Sequence, residues 1–114
     1  MQIHYLEVVT HDIDLVCASY ALISQIQFSA CDPSLGNART ASLEGGSMIG
    51  VRLPMAEWEE PIICPYYLVS NIDQAVANVV QSGGEIAHPP LEISGCGKFA
   101  IYILGGNNHG LWQL

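Results

Sequence analysis

The sequence is poor in charge, and poorest in positive charge. Only 12% of its 114 residues are Asp, Glu, Lys or Arg, and three basic residues, Arg39, Arg52 and Lys98, stand against eleven acids for a net charge of −8. A surface this acidic repels phosphate backbones and anionic lipid, so neither nucleic acid nor a membrane is an expected partner. Long apolar runs are missing as well: none approaches the roughly 20 residues that a membrane-spanning helix needs. The opening MQIHYLEVV has no positive n-region and no long apolar h-region. No secretory leader is expected there, and the cytoplasm is the expected compartment. Cysteine is scattered: Cys17, Cys31, Cys64 and Cys96 form no C-x-x-C pair. Neither a structural zinc site nor a thioredoxin-type motif is indicated, and four reduced, mostly buried thiols are expected.

What is present is enough apolar material for one core. Half the residues are hydrophobic, and the length suits a single domain over 1–114. Residues 2–9 are β-branched and aromatic and predict a strand. Thr10 or Asp12 can cap a helix running to about Ile26, with Ile13, Val16, Cys17, Tyr20 and Ile23 or Ser24 on one face. A short strand is expected at Phe28 to Cys31. Residues 38–44 and 47–53 predict a hairpin joined at Gly45-Gly46. PMAEWEEP, residues 54–61, reads as an exposed acidic linker. A strand resumes at 62–69, and Ser70 or Asn71 caps a second helix carrying Ile72, Ala75, Val76, Val79 and Val80, stopped by Gly83-Gly84. A short strand at 85–87, ended by Pro89-Pro90, precedes strands at 98–104 and 109–114.

Both halves thus follow one order of strand, capped helix and three strands: repeat one over about 1–53, repeat two over about 62–114. The predicted fold class is α+β, two βαβββ repeats forming a curved mixed sheet around a cleft, with helices on the outer face. Inside each repeat the first and last strands are expected to pair antiparallel.

The second half carries a recognisable pattern. It has a Gly-Gly helix stop, a Pro-Pro break, the stretch Ile93-Ser94-Gly95-Cys96-Gly97-Lys98-Phe99-Ala100, and the ending Gly106-Asn107-Asn108-His109-Gly110-Leu111-Trp112-Gln113. The first half adds Glu7 and Thr10 near a strand end, Asp12 at a helix start, Tyr20 within the helix, and IGVRLPM before the linker. In these features the chain resembles the uncharacterised, glyoxalase-like branch of the glyoxalase/bleomycin-resistance/extradiol-dioxygenase (vicinal oxygen chelate) superfamily. The resemblance implies a divalent metal held by His or Glu on the first and last strands of each repeat. Carried over by position, those four places read Tyr5, Gly50, Cys64 and Gly110, none of them His, Asp or Glu. A one-residue slip would bring in His4 or His109, but strand alternation sends those side chains to the helix side. No metal and no other cofactor is therefore expected. His11 and His88 are expected at a loop and before Pro89, not as ligands.

Alternation places Tyr5, Glu7 and Val9 on one strand face, with Leu6 and Val8 against the helix. Glu7 stands in an apolar strand and needs a partner, for which Arg52 is the candidate. It is also the candidate general base, should the protein be an enzyme. In the second half Cys64, Tyr66 and Leu68 should share a face beside Asn108, Gly110 and Trp112. The expected ligand-binding set is Tyr5, Glu7, Gly50, Arg52, Cys64, Tyr66, Asn108, Gly110 and Trp112, an apolar, aromatic lining suited to a flat or aliphatic small molecule. The expected function is small-molecule binding without the usual metal, with sequestration of a toxic or antibiotic-like compound in view. The alternatives are a metal-dependent lyase, isomerase or dioxygenase with non-standard ligands, and a non-catalytic interaction module. Trp58 in the acidic linker and the high apolar fraction suggest a homodimer.

Overall fold

The computed structural model describes residues 1–114. Its contacts divide into two units, a first half of Tyr5–Ile63 and a second half of Met1–His4 with Cys64–Leu114. Each is a four-stranded mixed sheet with one helix, so the fold class is α+β, built from two βαβββ units. No helix is long and apolar enough to cross a membrane.

The first half takes strand β1 (Ile3–Val9, of which Ile3 and His4 go with the second half), helix α1 (Ile13–Ser24), and strands β2 (Cys31–Asp32), β3 (Ala38–Ser42) and β4 (Met48–Arg52), in the sheet order β2-β3-β4-β1. β2 and β3 run antiparallel, as do β3 and β4, but β1 pairs with β4 in parallel, with Glu7 opposite Gly50. The expected antiparallel pairing of first and last strands is overturned, because α1 and the β2–β3 excursion together make the crossover that a parallel pair requires. The helix-facing side follows the alternation: Val8, Ala41, Ile49 and Val51 pack against Cys17, with Leu6, Ile13, Val16 and Tyr20 around them. Helix α1 ends at Ser24, and Ile23 is exposed. Asp12 holds the N-cap position without a side-chain cap bond, and its own N–H donates to the Thr10 hydroxyl at 3.1 Å. The expected strand near 28–31 shrinks to the two residues of β2. The connection between β3 and β4 is a kinked 3-10 stretch at Glu44–Gly46, with Gly45 in a left-handed conformation at φ 77°.

The second half holds β5 (Ile62–Leu68, its last five residues in this unit), α2 (Ile72–Gln81), β6 (Glu85–Ile93), β7 (Gly97–Leu104) and β8 (Asn107–Gln113), in the order β5-β8-β7-β6. β5 and β8 are parallel, mirroring β1 and β4. Asn71 caps α2, its side chain accepting from the Gln74 N–H at 3.0 Å. Gln113 at the end of β8 accepts from the Ile72 N–H at 2.8 Å, so a second donor of the first helical turn is satisfied by the sheet beneath it. Ile72, Ala100 and Leu111 form the centre of this layer, with Val69, Ala75, Val76 and Val79 packed around them.

The break expected at the two prolines does not occur. β6 does not stop before Pro89-Pro90; it runs through both to Ile93, with register shifts between Ile86 and His88 and between His88 and Leu91. The reason is position. β6 pairs with β7 on one side only, so a residue without an N–H can face outward, and bulges absorb the misfit.

Candidate functional site

In the first half the candidate residues gather around Arg52. Its side chain is 7% exposed, against 15% for Glu7 and 23% for Glu59. The guanidinium Nε donates to one Glu7 oxygen at 3.1 Å and Nη2 reaches the other at 3.5 Å. Nη1 and Nη2 donate to the two oxygens of Glu59 at 2.8 and 2.9 Å, and Nη1 also reaches the Leu53 carbonyl at 3.1 Å. The Glu7–Arg52 pair expected from the sequence is therefore present, but it is part of a three-membered network. The stronger, two-pronged contact comes from Glu59, which the sequence placed in an exposed linker. Only the geometry reveals it: nothing in the run of three linker glutamates marks one of them as the partner of a buried cation. Glu59 also accepts from the Met55 N–H at 2.7 Å, and its own N–H donates to the Ala56 carbonyl at 3.1 Å, so the stretch 55–59 closes into an anchored turn. Trp58, next to the anchor, remains 83% exposed.

These contacts set the protonation states. Arg52 is held firmly in its charged form, first by the Glu59 hydrogen bonds, with burial opposing and Glu7 adding to the effect. Glu59 is held below the ordinary 4.5, chiefly by its hydrogen bonds from Arg52, with burial opposing and the Met55 N–H helping. Tyr5 is pushed well above its ordinary 10.0, mainly by burial and then by the negative charge of Glu7, with Arg52 opposing. Its phenol is a neutral O–H at any physiological pH.

Tyr5 also explains Gly50. A Cβ on Gly50 would collide with the Tyr5 hydroxyl, so the space that glycine vacates is taken by a tyrosine from the neighbouring parallel strand. The second half repeats the device. A Cβ on Gly110 would fall onto the ring of Tyr66, its directly paired neighbour. Around Tyr66 lies an aromatic cluster on the sheet face away from α2: Trp112 at 5.9 Å and Phe99 at 6.3 Å, with His88 stacked on Phe99 at 5.0 Å. The Trp112 indole N–H donates to the Cys96 carbonyl at 3.0 Å. Phe99 and His88 were not among the sequence candidates, although alternation along β7 puts Phe99 on the Trp112 face, and the two are paired in register. Cys64, Tyr66 and Trp112 are all buried, and Asn108, paired with Ile103, lies at the exposed end of β8. His109 falls on the other face as alternation requires, stacked on Tyr102 at 4.9 Å, whereas the His4 ring lies 5.5 Å from Trp112. A separate groove of about 430 Å³ in the first half is lined by His11 and by Leu53 to Glu57, and none of the nine candidates lines it.

The metal implied by the family resemblance does not fit these residues. Two of the four positions are glycines overlaid by tyrosine rings, and no three His, Cys, Asp or Glu side chains converge into a set that could hold an ion.

The glycine–tyrosine packing and the Glu59 anchor each have a measurable consequence. Gly110→Ala should cost about 1–3 kcal/mol by overpacking against Tyr66, and in a Tyr66→Ala background the added cost should fall toward zero; a double-mutant cycle by urea denaturation measures the coupling. For Glu59, the folded-state pKa lies below the unfolded one. Its stabilisation is therefore complete above 4.5 and is lost as the pH falls through the lower folded value. Glu59→Gln should flatten the loss of stability that sets in as the pH falls below 4.5, read from urea midpoints across an acid series.

No protein-family model matches the sequence, and no curated protein matches it. Solved structures do. Methylmalonyl-CoA epimerase from Mycobacterium tuberculosis superposes with a TM-score of 0.75 over 97% of this chain and 86% of its own, at 13% identity. A hypothetical protein from Bacillus halodurans C-125 gives 0.71 over 99% and 94%, at 19% identity. A variant of Streptomyces coelicolor methylmalonyl-CoA epimerase, in complex with 2-nitronate-propionyl-CoA, gives 0.67 over 99% and 96%, at 14% identity. At such identities the likeness carries the architecture and not the chemistry, and that architecture is the glyoxalase (vicinal oxygen chelate) fold.

Proposed function

We propose that this chain binds a neutral, flat or aliphatic small molecule, using the vicinal oxygen chelate fold without its metal, in the manner of a protein that sequesters a toxic or antibiotic-like compound. The observation that carries the reading is the pair of glycine–tyrosine contacts: where the fold family places metal ligands, this chain has Gly50 under Tyr5 and Gly110 under Tyr66. Two further features support it. The second half offers an aromatic wall of Tyr66, Phe99 and Trp112, the kind of surface that takes planar apolar ligands. The cation among the candidate residues, Arg52, already has four hydrogen bonds to two carboxylates, which favours an uncharged ligand over an anionic one.

The metal question decides between this reading and an enzymatic one. Calorimetric titration with zinc, nickel and ferrous ions should show no stoichiometric binding at micromolar concentration. Stoichiometric binding would overturn the proposal in favour of a metal-dependent lyase, isomerase or dioxygenase. Of these the isomerase is the reading favoured by the epimerase structures among the neighbours, with Glu7 as the base. The proposal includes a homodimer, supported by Leu15, Leu22 and Ile23 exposed on α1 together with Trp58. Light scattering should give twice the chain mass, and a monomer at high concentration removes this part.

A further inference from the structure

Cys17 and Cys31 look into the same helix–sheet layer of the first half. Paired residues on neighbouring strands project from the same face of a sheet. Cys31 pairs with Arg39, Arg39 with Val51, and Val51 with Val8. These four form one row across β2, β3, β4 and β1. Val8 and Val51 pack directly with Cys17, so the row lies on the face that α1 covers. Arg39 fixes the same side independently: its Nη1 donates to Asp14 Oδ1 at 3.1 Å, and Asp14 stands in the first turn of α1, one turn before Cys17. The two sulfurs are also within Coulombic reach of each other. Burial pushes the Cys17 thiol up, Arg39 opposes this, and Cys31 is among the groups that add to the rise. Their exposures differ sharply, since Cys31 is open to solvent and Cys17 is 2% exposed.

We propose that Cys31 is an oxidation site for hydroperoxides and that Cys17 captures the oxidised sulfur, forming a disulfide that ties α1 to the edge strand β2. The exposed Cys31 thiolate attacks one peroxide oxygen. The O–O bond breaks, an S–O bond forms, sulfur loses two electrons, and hydroxide or alkoxide leaves, giving a sulfenic acid. The Cys17 thiol then gives up its proton and attacks the Cys31 sulfur. The S–S bond forms as the S–O bond breaks, and the departing hydroxide leaves with that proton as water. Closure needs the smallest element of the sheet to move. β2 has two residues and a single neighbour, so shifting it breaks few ladder bonds. The order of events follows from exposure: a thiol in the core meets no oxidant from solvent but can meet a sulfur delivered from the edge.

The test is to treat the reduced protein with hydrogen peroxide, block remaining thiols and map peptides by mass spectrometry. The expected product has one intramolecular disulfide joining Cys17 and Cys31, is reversed by dithiothreitol, and leaves Cys64 and Cys96 alkylated. Cys31→Ser should abolish it, and Cys17→Ala should leave a dimedone-reactive sulfenic acid at residue 31. Because the core variant can fail to fold, the map of the unmutated chain is decisive on its own. The proposal is overturned if Cys17 stays a free thiol while Cys31 is oxidised, if Cys31 links two chains, or if it pairs with Cys64 or Cys96.

Discussion

Arg52 is a buried cation in a chain that has only three basic residues, and its neutralisation constrains the first half of the molecule. A guanidinium at 7% exposure is tolerable only with its donors engaged. Glu7 alone does not achieve this. It meets Nε well and Nη2 at the limit of a hydrogen bond, and leaves Nη1 free to turn elsewhere. The planar fork of Arg is filled on its other edge by Glu59, seven residues further on. To bring Glu59 there the chain must turn back over residues 55–59, so one electrostatic requirement at the end of β4 fixes the path of the segment that follows. That segment would otherwise have little to hold it: Leu53, Met55 and Trp58 are exposed and contribute little burial. Removing Arg52 would strand two partly buried carboxylates, a larger penalty than losing the pair itself.

The two glycine–tyrosine contacts show a similar economy of space in each half. Parallel strands place neighbours at a fixed lateral distance, and a side chain on both would collide where a bulky ring leans across. In the first half the ring comes from Tyr5, which pairs with Met48 and reaches diagonally to Gly50; in the second it comes from Tyr66, paired directly with Gly110. The equivalent positions of the repeats thus arrive at one solution by different registers. This explains why the repeat is visible in the order of elements and not in residue identity: what is shared is the pairing of first and last strands, while the side chains that fill the gap differ.

How much could be read from the sequence depended on whether the information was local. Strand alternation is local, and it put Leu6 and Val8 against the helix and Tyr66 and Trp112 on the opposite face, as the structure has them. The Asn71 cap is local and legible, on an extended backbone; Asp12 holds the N-cap position at φ −120°, ψ 63°, away from that extended conformation, and its side chain makes no cap bond. Helix α2 has one clear apolar stripe, whereas α1 is apolar on several sides, so its buried face could be followed through Tyr20 but not decided at Ile23. Strand direction, by contrast, is set by how many crossings lie between two strands, and Pro89-Pro90 reads as a stop unless β6 is known to be an edge. The Glu7–Arg52 pair was inferable because a lone acid in an apolar strand demands a cation from a short list of three. Glu59 was not, because three linker glutamates offer the same chemistry and only the backbone path selects one.

Fold and chemistry separate in this chain for a physical reason. A fold of paired βαβββ units is specified by alternation, helix stripes and turn residues spread over the whole sequence, so it persists at 13–19% identity to solved structures. A metal site is specified by a few donors at defined places, and substitution at two of them abolishes it. The family resemblance puts Gly50 and Gly110 at two such places, and a His or Glu introduced at either glycine would first have to displace a buried tyrosine ring. The packing of Tyr5 and Tyr66 therefore commits each half to a sheet face where positions 50 and 110 have no room for a side chain.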